Sequence, residues 1–395
     1  MITPEDINRI IEPIVKVYRE LEDDIFNMIA KRLKTDDDIT REQAFEWQAE
    51  KIQQLNSIND ETIKMLSKTT GLAEKEIRKI FEEVGDETIN TVDEDVERIY
   101  NQAKAEGKSD ILATFVVLGA MIYGFQRLRK SREYQRTVSE FQNRVFRDFN
   151  VFINETLITT NYGEGTVARM YRRIVEEAVS RVLTGDITIN KAVAETVIKW
   201  AERGIQSGFV DRGGRIWSLD RYAEATIRST VNTLYNELTI NRMKEYGTDL
   251  VLVSSLPDPR EACSRIQGKV ASLSYPSSHP KYPSVYEFGY GEPWGLRGVN
   301  CRHRFYAWFE GISENNQVQY NVREAQERYQ LSQKQRYYER QIRKAKRSLN
   351  IAKELGDEEL IQRYRRLVRA RQARIREFIK EHDLPRRYDR ERVIA

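Results

Sequence analysis

Along most of this chain the apolar residues recur at alternating spacings of three and four, and one stretch breaks that rhythm. At the start, Thr3-Pro4-Glu5-Asp6 reads as a helix opening: a hydroxyl cap, proline at the first helical position, and acids at the positive end of the dipole. Ile7, Ile11, Ile14, Tyr18, Leu21, Ile25 and Met28 then form a heptad seam. It predicts a helix packed lengthwise on another helix of the same chain, with Pro13 removing one backbone bond. Helical patterns continue over 41–57, 60–65, 73–84, 87–106 and 111–129, with turns expected at Gly71, Gly85 and Gly107. A second helical block runs from about 139 to 246. Its turns are read at Gly185-Asp186 and across Gly204 to Gly214, the sharpest being Asp211-Arg212-Gly213-Gly214-Arg215, and Gly247 ends its last helix. No proline stands between Pro13 and Pro257, as a stack of helices requires.

The rhythm changes between 251 and 310, where six of the nine prolines, both cysteines and two of the three histidines lie. Asp249 to Ser255 alternates as DLVLVSS, and 269–274 and 304–309 read as two further strands, so this stretch predicts a small sheet. Beyond Gly311 the helices return. Residues 321–355 and 357–382 are separated by Gly356, with Asp357 placed to cap the second, which predicts a helical hairpin with Ile361, Tyr364, Val368, Ile375 and Phe378 as its apolar stripe. The fold class expected is mainly α with a small α+β module. It comprises a helical N-terminal block, a compact Pro/Gly/Cys-rich knot with a short antiparallel sheet, and a C-terminal helical hairpin, over the regions 1–135, 136–313 and 314–395.

Composition adds a polarity to this picture. The chain of 395 residues carries a formal net charge of +4, yet residues 1–100 hold 14 basic and 25 acidic side chains and residues 321–395 hold 22 and 12. Ends of opposite sign favour contact between unlike surfaces, or between the basic end and a polyanion. Two cysteines are too few for a disulfide framework, so a reducing, intracellular origin is expected. The first residues show no secretory leader. The run ILATFVVLGAMIYGF at 111–125 is shorter than a membrane span and reads as a buried helix.

Candidate chemistry is concentrated in the knot. Cys263, His279, Cys301 and His303 are two thiols and two imidazoles, the ligand types tetrahedral zinc accepts, although only Cys301 and His303 are closely spaced. Three readings of the set stand: thiols and a hydrogen-bonded imidazole that knit the module together, a zinc site, or a cysteine nucleophile; the spacing favours the first. The glycines between 268 and 298 match neither phosphate-loop pattern, so nucleotide binding is rejected. Tyr275, Tyr282, Tyr286, Tyr290 and Trp294 could stack on bases, but in a loop of prolines and glycines they are expected to pin it to its own surface or to a partner subunit, and Asp258 and Arg260, like Asp211 with Arg215, are expected to form internal ion pairs. In the tail, Arg363, Arg365, Arg366, Arg369, Arg371, Arg374 and Arg376 make a basic face suited to the phosphates of duplex DNA, with no means of selecting bases; the alternative is a face packed on an acidic neighbour.

Four stretches together resemble the minor capsid (minor head, or head-morphogenesis) proteins of tailed bacteriophages. They are the turn with Asp211, Gly214 and Arg215; Gln267-Gly268-Lys269 with the strand leading to it; the run from Gly289 to Ser313 containing Asn300-Cys301-Arg302-His303; and the basic tail. The resemblance covers about residues 150–395. It departs from the family pattern at Cys263, where a histidine is expected; a metal ligand tolerates that exchange, and it argues against an obligatory imidazole acid or base there. The resemblance implies a structural, non-enzymatic virion protein, made in the host cytoplasm, that joins the portal protein or the major capsid protein during head assembly and, in some members of the family, contacts packaged duplex DNA non-specifically. It implies no cofactor. The competing readings are a zinc- or cysteine-dependent enzyme acting on genome or host, and a generic DNA-binding helical protein.

Overall fold

A computed structural model of the protein describes residues 4–35, 39–40, 43–107, 136, 138–140, 142–143, 147, 166–184, 187–210, 214, 216–298 and 301–393. The heptad seam becomes helix α1 (Pro4–Leu33), with Ile11, Ile14, Tyr18, Leu21, Ile25 and Met28 all buried and Pro13 accommodated inside. Helices α2 (Ala44–Gln53) and α3 (Leu55–Ala105) follow. Here the structure departs from the expected turns, because α3 runs unbroken through Gly71 and Gly85. A glycine inside a helix costs about 1 kcal/mol relative to alanine. Ala73, Ile77, Ile80, Phe81 and Val84, all buried, hold the helix together past both positions. Gly107, at φ 66°, does turn the chain. The apolar run at 111–125 lies outside the described residues, and among those described no helix is long and apolar enough to cross a membrane.

Helices α4 (Thr166–Leu183) and α5 (Ile189–Arg203) come next. A second departure follows: where the sequence predicts turns across 204–214, the chain forms an antiparallel ribbon of β1 (Gln206–Val210) and β2 (Ile216–Ser218), with a shift in register between its two ends. Strands of five and three residues are too short for alternation to show. Helix α6 (Leu219–Glu245) ends where Gly247 takes φ 75°. Then come β3 (Leu250–Val253), the single turn α7 (Glu261–Ser264), β4 (Val270–Ser272) and β5 (Phe305–Ala307), and finally α8 (Val322–Leu355) and α9 (Glu358–His382).

The chain forms two compact units, each assembled from separate segments. One contains residues 1–14, 74–147 and 224–332. Its sheet has the order β4-β3-β5, antiparallel throughout, with Val251 opposite both Ala271 and Ala307. All four β3 residues are buried, and alternation divides them between two cores. Val251 and Val253 pack with Ile240 and Met243 of α6, while Leu250 and Leu252 pack with Val270 and Trp308. Along α3, Val92, Val96 and Ile99 meet Tyr246 and Ile312. Asp93 anchors that contact, accepting from Arg242 at 2.7 and 2.8 Å and from the Tyr246 hydroxyl at 2.8 Å.

The other unit contains residues 15–73, 148–223 and 333–395. Helices α4 and α5 pack as a pair, joined by Arg181–Glu195 at 2.5 Å and by Lys199–Glu177. The C-terminal hairpin forms as expected. Gly356 has φ 75°, the Asp357 carboxylate accepts from Leu360 N at 3.0 Å, and α9 runs antiparallel to α8, with Tyr338 against Phe378 and Arg371 donating to the carbonyl of Gln341.

Candidate functional site

Two asparagines one turn apart on α6 position the stretch that carries Cys301 and His303. Asn232 Nδ2 donates to the carbonyls of Cys301 (2.8 Å) and His303 (3.3 Å), and Asn236 Nδ2 donates to His303 O at 3.4 Å while its Oδ1 accepts from Phe305 N at 3.2 Å. On the next residue, the Arg304 guanidinium lies 4.1 Å from the Tyr235 ring centroid, fully buried. Sequence reading missed all four of these residues. The available signal was a pair of amides at i and i+4 among the apolar positions Val231, Leu234, Tyr235 and Leu238.

The structure brings together three of the four candidate ligands. Donor atoms of Cys263, Cys301 and His303 all lie within 4.8 Å of one another, and the residues are 0%, 3% and 3% exposed. Cys263 comes from the turn of α7; Cys301 and His303, two apart, point the same way from the extended approach to β5. Cys301 Sγ stands 3.7 Å from His303 Nδ1. His303 Nε2 is 3.2 Å from Gln267 Oε1, which also accepts from Leu256 N at 3.0 Å. Both cysteines are free thiols. The nearness of the two thiols pulls Cys301 down and pushes Cys263 up; burial opposes the first shift and adds to the second, and His303 also lowers Cys301.

His279 lies elsewhere. Its Nε2 is 2.8 Å from Asp249 Oδ1, and the hydroxyls of Ser272, Ser274 and Ser278 converge on Asp249 Oδ2 at 3.1, 3.1 and 2.8 Å. Partial burial raises the Asp249 pKa, but these donors, Ser278 and His279 foremost, outweigh it and hold the carboxyl at about 2. The serines donate to the carboxylate rather than to the imidazole, so the group is a clamp on the loop that follows β4.

The glycine-rich loop is closed by its own backbone. A Cβ on Gly295 would lie 2.0 Å from Gly289 O, and one on Gly298 would lie 2.1 Å from Glu292 O. Tyr275, Tyr286 and Tyr290 meet edge-on in sequence, and Tyr290 stacks on Phe305 at 5.9 Å, which pins the loop to the sheet. Arg302 pairs with Asp258 at 2.8 Å, and Arg260 donates to Gly295 O at 2.8 Å. Gly268, at φ 69°, offers its carbonyl to Asn315 Nδ2 (2.8 Å) and Gln319 Nε2 (2.9 Å), while the Lys269 side chain is exposed. Gly214 is exposed at φ 72°, and Asp211, Arg215 and Asn300 lie outside the described residues.

On α9, Arg363, Arg365, Arg366, Arg369, Arg374 and Arg376 are exposed, whereas Arg371 is half-buried against α8. Helical periodicity sets Arg365, Arg369 and Arg376 in one row and Arg363, Arg366 and Arg374 in another. No acidic residue interrupts 363–376. In the same unit, a cavity of about 340 Å³ is lined by Arg203, Arg221, Arg340, Arg343, Lys344 and Arg347, against the carboxylates of Glu22 and Glu202.

Comparison with known proteins agrees with the resemblance. A structural protein of Lactococcus phage LL-H is 29% identical over 383 residues, which is 95% of this chain and 97% of that protein. A structural protein of Lactococcus phage mv4 is 41% identical over 119 residues, 30% of this chain and 97% of its own length. No solved structure matches. Residues 2–380 match the family model described as phage minor capsid protein 2, and the chain belongs to that family of phage structural proteins.

Proposed function

We propose that this structural protein joins the portal vertex or the inner face of the capsid during head assembly and lies against packaged duplex DNA through α9. The observation that carries the DNA contact is the double row of exposed arginines. Over the 14 residues from 363 to 376 the helix rises about 21 Å. That is roughly six base-pair steps of duplex at 3.4 Å each, so the rows can follow a phosphate backbone. Arginine on a smooth helix face meets phosphate without reading base edges, which suits a protein that must accept any genome sequence. The cation-lined cavity of the same unit adds a concave site of like sign. The role is structural and requires no catalytic step.

The test is duplex-DNA binding by fluorescence anisotropy across a salt series, comparing the full chain with a variant carrying glutamine at the six exposed arginines. The native protein should show affinity falling steeply with salt. The variant should bind weakly, with a slope shallower by up to about 0.9 for each phosphate it no longer neutralises. Equal affinity and slope in the two proteins would remove α9 as the DNA surface. Imaging of the variant and native proteins in assembled particles, together with co-purification with the portal, tests the position in the head; a copy number unchanged in portal-less procapsids would overturn vertex recruitment.

A further inference from the structure

We propose that Cys263, Cys301 and His303 form a structural binding site for a thiophilic, tetrahedral divalent cation of the zinc class. Gln267 Oε1 accepts the Leu256 backbone N–H at 3.0 Å, which fixes this amide with its oxygen toward that donor. The same oxygen lies 3.2 Å from His303 Nε2, so that nitrogen must carry the hydrogen. In the neutral ring the lone pair is therefore on Nδ1, directed at Cys301 Sγ 3.7 Å away. An imidazole whose distal N–H is held by a carbonyl oxygen, freeing the other nitrogen, is oriented as metal-ligating histidines are.

The spacing fits as well. With a sulfur about 2.3 Å and an imidazole nitrogen about 2.05 Å from one ion at the tetrahedral angle, the two donors stand about 3.6 Å apart. The distance here is 3.7 Å, and Cys263 Sγ completes a triangle whose donor atoms all fall within 4.8 Å. Charge also balances. Two thiolates neutralise a divalent cation, so the loaded site carries no net charge into a core whose other members include Ile266, Val285 and Leu296. The three residues are almost fully buried, leaving one coordination position for a small ligand such as water. The cation would tie the turn of α7 to the approach of β5, on a three-stranded sheet with strands of three to four residues that has no covalent cross-link between its two thiols.

The site does not depend on the assembly role proposed above, and its test reads the metal alone. The full chain is produced with zinc in the medium, purified without chelator and assayed by elemental mass spectrometry. Protein refolded with cobalt(II) is examined for thiolate-to-metal charge-transfer absorption. Roughly one zinc per chain is expected, together with cobalt–thiolate bands that disappear on adding zinc. Cys301→Ser and Cys263→Ser should each lose the metal. Should those variants fail to fold, the spectrum of the native chain still decides the matter, since a cobalt complex without sulfur ligation lacks these bands. Absent or sub-stoichiometric zinc with no charge-transfer absorption would overturn the site, and so would zinc retained in a folded double-serine variant.

Discussion

Arg347 of α8 offers the sharpest perturbation. Its Nη2 lies 2.9 Å from Glu22 Oε2 and its Nε 2.5 Å from Asp23 Oδ1, both on α1, with side chains 12%, 1% and 9% exposed. Glu22 Oε1 also accepts the Ile205 backbone N–H at 2.6 Å, where the chain leaves α5. One guanidinium therefore pairs with two buried carboxylates. Arg347→Met keeps the length of the side chain and removes the charge, so the loss comes from two buried carboxylates deprived of this cation rather than from an empty space. Breaking a buried pair in this way costs about 3–5 kcal/mol, against a total stability of about 5–15 kcal/mol for an ordinary domain. The control is Lys31→Met. Lys31 reaches Glu354 only at 4.0 Å with 65% of its side chain exposed, and such a pair is worth about 0–1 kcal/mol. Hydrogen exchange followed by mass spectrometry reads the effect locally, because the Ile205 amide should lose protection in Arg347→Met and keep it in the control. Adding Glu22→Gln and Asp23→Asn to Arg347→Met should recover part of the stability, since the buried negative charge that Arg347 had balanced is then gone. Equal unfolding midpoints for Arg347→Met and Lys31→Met, with Ile205 still protected, would refute the reasoning.

Two further predictions concern the sheet module. Asp249 is held at about 2 in the fold, below the roughly 3.9 of a free aspartate. Its contribution is thus fully present above about pH 4 and is lost as pH falls through about 2. At full strength that difference is about 2–3 kcal/mol, and water around a carboxylate 35% exposed reduces it to about 1 kcal/mol. Asp249→Asn should lower the melting temperature at pH 7 but leave it nearly unchanged near pH 2, and an equal loss at both would count against the clamp. Gly295→Ala should cost on the order of 2–4 kcal/mol, since its Cβ would lie 2.0 Å from a carbonyl oxygen that a flexible side chain cannot relieve. Gly291→Ala meets nothing within 4 Å and should cost only the roughly 1 kcal/mol of its φ of 82°. Melting curves in which the two variants match would show that the loop opens easily.

What the sequence displays and what it conceals follow from the range of the interactions. The heptad seam of α1, the capped α8–α9 hairpin and the three strands of the sheet each rest on neighbours within a few residues or on a regular period, and these are legible. Gly71 and Gly85 mislead for the same reason: their local preference is for turns, and the buried positions that outweigh it are distributed along the whole of α3. Arg347 with Glu22 and Asp23 leaves no local trace, as more than 300 residues separate the partners. In the cluster, Cys301 and His303 are near enough in sequence to single out. Gln267 stands out only as part of a motif, and its work on the His303 tautomer requires the fold. His279 joins them by residue type alone, and Asp249 holds it at a different place.

A division of labour follows from where the polar groups point. In the run from Cys301 to Arg304, Cys301 and His303 face each other, Arg302 reaches Asp258, Arg304 lies on Tyr235, and the carbonyls of 301 and 303 are taken up by Asn232 and Asn236. Gln267 is buried and Gly268 is capped from both Asn315 and Gln319. Residues turned inward in this way specify how the module closes, and a partner cannot reach them without opening it. The exposed arginines of α9 follow the opposite rule: they have no fixed spacing signature, and they present charge to whatever lies outside. The inward-facing motif and the exposed arginine face are thus separate parts of this chain. Substitutions in the run from 301 to 304 should be felt first as reduced stability of the sheet unit, whereas substitutions among the α9 arginines should leave folding intact and change only what the protein holds.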